Sequence, residues 1–71
     1  MKLRNLLNEM VEQACLEIGF PYDEGCTEYI ETTVWLKHDI NLNNEKFDDE
    51  RTMDIFAEEV EIWKVNTERN F

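Results

Sequence analysis

The side chains that could do chemistry in this chain are two cysteines, Cys15 and Cys26, one histidine, His38, and seventeen carboxylates. A thiol nucleophile needs an imidazole or a cationic setting to ionise, and no motif surrounds either cysteine. The acidic field of the chain also opposes thiolate formation. With only two cysteines and no export signal, the thiols are expected to be reduced rather than paired. His38 stands beside Asp39 at an expected helix end and reads as a cap on the last carbonyls rather than as a general base. There is no Gly-rich phosphate loop and no Cys/His zinc spacing. No catalytic residue is assigned, no cofactor is expected, and the chain is not read as an enzyme.

One metal-like spacing is present. Asp39, Asn41, Asn43 and Glu50 place oxygen side chains at positions 1, 3, 5 and 12 of a stretch between two predicted helices, which resembles an EF-hand calcium loop in spacing. The departures are Asn44 where the loop needs glycine, Lys46 where it carries an apolar residue, and Phe47 at a polar position. The leading reading therefore holds no metal site, and a calcium-responsive module is the alternative.

Charge is the stronger signal. Seventeen acidic against seven basic residues give a net charge of −10 at pH 7. Such a surface repels phosphate backbones and anionic lipid, so no direct contact with nucleic acid or membrane is expected. Glu45, Asp48, Asp49, Glu50, Asp54, Glu58, Glu59 and Glu61 concentrate the charge between Glu45 and Glu61, against Lys46 and Arg51. Asp54, Glu58 and Glu61 fall at i, i+4 and i+7. That puts them in a row on one helix side, with neighbouring Cβ atoms about 5–6 Å apart, close to the spacing of phosphates along a strand.

Some apolar residues fall off the expected core faces: Trp35 on the middle helix, Leu16 on the first, and Ile55 with Ile62, seven apart, on the last. Tryptophan is enriched among interface hot spots. The expected function is a non-enzymatic inhibitor or modulator of a basic, nucleic-acid-binding or nucleic-acid-modifying protein, with a nucleic-acid-mimicking surface. Asp54, Glu58, Glu59 and Glu61 would supply charge, and Trp35 an anchor. Small size and strong acidity are what an inhibitor from a phage or mobile element would show. A homodimer across an Ile55/Ile62 seam is a further reading.

Three helices must position these residues. The first is expected from Lys2 to Ile18, with Leu3, Leu7, Met10, Val11, Ala14 and Ile18 on one face and Leu6 at its edge. Gly19 and Pro21 stop it. The segment from Tyr29 to Leu36 has strand-like composition, but its alternation is poor and it has no second strand to pair with. It is predicted as a helix from about Asp23 to His38, with Tyr22, Cys26, Tyr29, Ile30, Thr33, Leu36 and Ile40 inward. Asp39 to Lys46 reads as a loop of Asx turn chemistry. The last helix is expected from about Asp48 to Val65, its face formed by Met53, Phe56, Ala57, Val60 and Trp63, with Thr67 to Phe71 a frayed tail. The expectation is one all-α domain, a three-helix bundle.

At 42% apolar and 34% charged the composition is globular, and no apolar run approaches the length of a membrane span or signal peptide. A cytoplasmic setting is expected. A chain this short supports only a few kcal/mol of net stability from its core, and self-repulsion of the carboxylates lowers it further.

Overall fold

Gly19 ends the first helix as expected. Its φ of 71° and ψ of 23° are left-handed, a conformation that costs a Cβ-bearing residue but not glycine. The turn lets Phe20 N–H donate to Cys15 O at 2.9 Å and Gly19 N–H to Leu16 O at 3.4 Å, which satisfies carbonyls that the helix leaves open. The second helix starts at Asp23, whose carboxylate accepts from Gly25 N–H at 2.7 Å, an N-cap of the ordinary kind. It ends at Asp39, also left-handed at φ 56°, whose N–H donates to Trp35 O at 2.9 Å. Thr32 and Thr33 remain helical while their hydroxyls donate to the carbonyls of Glu28 and Tyr29 at 3.0 Å.

The computed structural model describes residues 2–43 and 50–70. Its elements are α1 (Leu3–Ile18), α2 (Glu24–His38) and α3 (Glu50–Asn70), with every helix packed on the other two. It is the expected three-helix bundle, and residues 29–36 are helix. Among the described residues there is no strand, and no helix is long and apolar enough to cross a membrane. The end of the expected loop and the first residues expected of the last helix lie outside the described residues, as do Glu45, Asp48 and Asp49.

The core is built from Leu3, Leu7, Val11, Ala14 and Cys15 of α1, Ile30 and Val34 of α2, and Phe56 and Val60 of α3. Leu42, from the connection after α2, plugs it. The α1 face is close to the predicted one, but the other two are rotated.

On α2 the buried residues are Thr27, Ile30 and Val34, while Tyr29 and Leu36, expected inside, are exposed. Thr27 tolerates burial because its hydroxyl donates to Asn8 Oδ1 at 2.9 Å, and the Tyr22 hydroxyl bonds to the same oxygen. On α3 Thr52, Phe56, Glu59 and Val60 face inward, and Met53 and Ala57 face out. Residues 67–70, expected as a frayed tail, continue the helix. Thr67 is half-buried beside α2, Asn70 Nδ2 donates to Asn66 O at 2.8 Å, and one turn earlier Trp63 meets Phe20 edge to face at 5.9 Å.

Candidate functional site

Three helices packed pairwise leave three grooves, and their charges differ. Between α1 and α2, Glu24, Glu28 and Glu31 stand at i, i+4 and i+7 on one side of α2. They gather around the guanidinium of Arg4, which donates to Glu31 at 3.0 Å and lies 3.8 Å from Glu28 and 3.9 Å from Glu24. One cation therefore stands against three carboxylates. Trp35 continues that row one turn further along α2 and is 61% exposed.

Between α1 and α3, a shallow groove of about 350 Å³ contains Glu9, Glu17, Glu61 and Lys64 over an apolar floor that includes Met10 and Val60. Lys64 Nζ reaches Glu17 at 3.0 Å and Glu61 at 3.1 Å. Those hydrogen bonds, Glu17's first, raise the lysine pKa. The ratio is again three carboxylates to one cation.

Between α2 and α3 the arrangement is different. A groove of about 560 Å³ has aromatic and aliphatic walls (Phe20, Tyr29, Ile30, Ile62 and Trp63) and neutral polar groups at Thr33, Asn66, Thr67 and Asn70. Its charged residues are Lys37 and Glu59, whose Nζ and Oε2 are 3.0 Å apart. Glu59 Oε2 also accepts from His38 Nε2 at 2.9 Å. The imidazole hydrogen bond holds the Glu59 carboxyl below its ordinary pKa, burial opposes the shift, and Lys37 reinforces it.

Against this geometry the sequence-predicted residues divide. Asp54 and Glu58 are exposed on the outer side of α3 and make no ion pair among the described residues. Glu61 is exposed but shared with Lys64. Glu59 is corrected: it is 5% exposed and points into the bundle, so the outer row is Asp54, Glu58 and Glu61. Ile55 is also corrected, being half-buried against the core. Ile62 is 43% exposed at the α2–α3 groove, so the expected Ile55/Ile62 seam does not form a surface. Trp35 and Leu16 are exposed as expected.

Of the calcium-like set, Asp39 ends α2, Asn41 Oδ1 accepts from Asn43 N–H at 2.9 Å, and Glu50 opens α3. Asn44, Lys46 and Phe47 lie outside the described residues. No group of three His, Cys, Asp or Glu side chains among the described residues is arranged to hold a metal ion. Both cysteines are free thiols.

Sequence reasoning missed the Arg4 cluster and the Lys37–His38–Glu59 cluster. The second left a trace in the sequence, since Glu59 falls three residues after Phe56 and four before Trp63, inside the apolar stripe. The chain matches no protein-family model, no curated protein and no solved structure.

Proposed function

We propose that this chain is a non-enzymatic, acidic interaction module of the cytoplasm. It binds a basic, nucleic-acid-binding protein and inhibits or modulates it by occupying the surface that protein offers to nucleic acid. The observation that carries this reading is the three-to-one excess of carboxylates around Arg4 and again in the groove that holds Lys64, on a chain of net charge −10. Asp54 and Glu58 extend the negative surface along α3 as a phosphate-like row with Glu61. Trp35 supplies an aromatic side chain at the end of the Glu24–Glu28–Glu31 row, where apolar contact adds to charge complementarity. An inhibitor encoded by a phage or mobile element fits this size and charge.

The test is capture of partners from lysate on the tagged chain at about 50 and 500 mM salt, between which the Debye length falls severalfold. The bound protein is then challenged with duplex DNA and with RNA. A basic protein that is released by salt, displaced by nucleic acid, and bound more slowly by the combined Asp54→Asn, Glu58→Gln, Glu61→Gln variant supports the reading. A partner that stays bound at high salt and binds that variant equally well refutes the carboxylate surface.

A further inference from the structure

The α2–α3 groove stands apart from the other two. Glu59 and Lys37 are the charged residues of its lining, and they neutralise each other. It is also where large apolar side chains open to water. Tyr29 is 64% exposed and Ile62 43%, and Leu36, seven residues beyond Tyr29 on the same side of α2, is 79% exposed. Exposed apolar side chains at and beside a groove are what a contact surface offers.

We propose that the occupant is a second copy of this chain, forming a two-fold dimer in which the Tyr29–Leu36 ridge of each protomer lies along the groove of the other beside Ile62. Charge selects the occupant. A second copy also carries −10, so bringing the Arg4 or Lys64 groove against it would oppose like charges, whereas the α2–α3 groove presents no net charge. A basic partner gains its Coulomb attraction at the other two grooves and none here.

The polar groups agree with this. A two-fold contact sets each residue against the same surface of its partner, which like charges cannot tolerate. The Thr67 hydroxyl and the amides of Asn66 and Asn70 can donate and accept, and the Thr33 hydroxyl, which donates to Tyr29 O, can still accept, so they can pair across the axis. Size agrees as well. The molecule measures 35 × 21 × 19 Å, so its long face approaches the ~800 Å² per partner that a standard interface buries. Association would also stabilise a chain whose own core is small.

Sedimentation equilibrium of the full chain over a concentration series, at low and high salt, tests the proposal. The expected result is a monomer–dimer equilibrium that tightens as salt rises, because screening relieves repulsion between the acidic protomers. Binding of a basic partner weakens with salt instead, so failure of one proposal is distinguishable from failure of the other. Ile62→Glu should weaken the dimer by about tenfold or more, as expected at the centre of an interface. Leu36→Glu, at a position more exposed in the monomer, should do the same, and it decides the matter if helix content shows that Ile62→Glu has not folded. Leu16→Glu, on α1 and 76% exposed, should leave association unchanged.

A chain that stays monomeric up to about 1 mM, where association would be worth only ~4 kcal/mol, overturns the proposal. So does a dimer that loosens with salt, or one that Leu16→Glu weakens while Ile62→Glu and Leu36→Glu do not.

Discussion

His38 Nε2 on α2 stands 2.9 Å from Glu59 Oε2 on α3, and Glu59 is only 5% exposed. The carboxylate can only accept, so the ring nitrogen donates, and Lys37 Nζ completes the contact at 3.0 Å from the same oxygen. A charge inside a helix stripe is costly unless it is paired and hydrogen-bonded. Here two consecutive residues at the end of α2 supply both partners, and no buried side-chain polar atom is left without one among the described residues.

This contact makes stability depend on pH. The His38 hydrogen bond lowers the Glu59 pKa, against the effect of burial and with help from Lys37. In the unfolded chain the carboxyl returns to about 4.3, so between the two values the unfolded state binds more protons and stability rises with pH. The contribution is complete above the unfolded value and is lost as pH falls through the folded one. Lys37 is 55% exposed, so water shares its charge and the effect is moderate. Glu59→Gln should cost about 1–2 kcal/mol at pH 7, the scale of a hydrogen bond to a charged group, and less at pH 3. Urea unfolding at the two pH values measures both gaps, and equal gaps would contradict the pairing.

Phe56 is the largest fully buried side chain among the described residues, at 0% exposure. Phe56→Ala should remove about 3–5 kcal/mol, which is of the order of the whole net stability of a chain this size. Far-UV circular dichroism at 25 °C should show the variant largely unfolded. Leu16→Ala, on the water side of α1, should shift stability by no more than about 0.5 kcal/mol. A folded Phe56→Ala would mean that the core is not centred where Phe56 stands.

The three helices and the stop of the first were legible because they rest on local signals: Leu3, Leu7, Val11 and Ala14 at helical spacing, and Gly19 before Pro21. The facing of α2 was not legible. Its apolar side chains spread widely outside the Glu24–Glu28–Glu31 row, so hydrophobicity alone chose Tyr29 and Leu36 over Thr27. The winning factor was tertiary, since Asn8 and Tyr22 satisfy the Thr27 hydroxyl. Glu59 was misplaced for the same reason, because its partners lie 21 and 22 residues away in sequence. Leu42 sits between asparagines at a turn, and its burial against the core is a tertiary contact that no local pattern carries. The grooves and their unequal charge follow from which helix faces meet, and no single-helix pattern carries that.

The two left-handed helix ends predict opposite responses. At Gly19, φ is 71° and a Cβ would meet nothing within 4 Å, so Gly19→Ala carries only the backbone penalty. It should cost about 1 kcal/mol. Asp39 adopts φ 56° with a side chain, and it places a negative charge at the negative end of the α2 dipole. Asp39→Gly should therefore stabilise the fold by about 0.5–1 kcal/mol. Thermal melting of the two variants should move in opposite directions, and a shift of the same sign in both would contradict the cap geometry.

Cys15 gives a readout of local opening. It is 1% exposed, and burial first, then the neighbouring Cys26 thiol and Glu12, raise its pKa. Because the thiolate is the species that reacts, alkylation of the folded chain at mild alkaline pH should modify Cys26 quickly and Cys15 only through opening of the bundle. In denaturant the two should react at similar rates. Cys15 O also accepts the Phe20 N–H in the turn that Gly19 allows, so the thiol and the helix stop open together. Destabilising that turn by about 1 kcal/mol through Gly19→Ala should raise the Cys15 labelling rate about fivefold when reclosing outpaces labelling, with Cys26 little changed. Fast labelling of Cys15 in the unmodified chain, or a rate indifferent to Gly19→Ala, would contradict its place in the core.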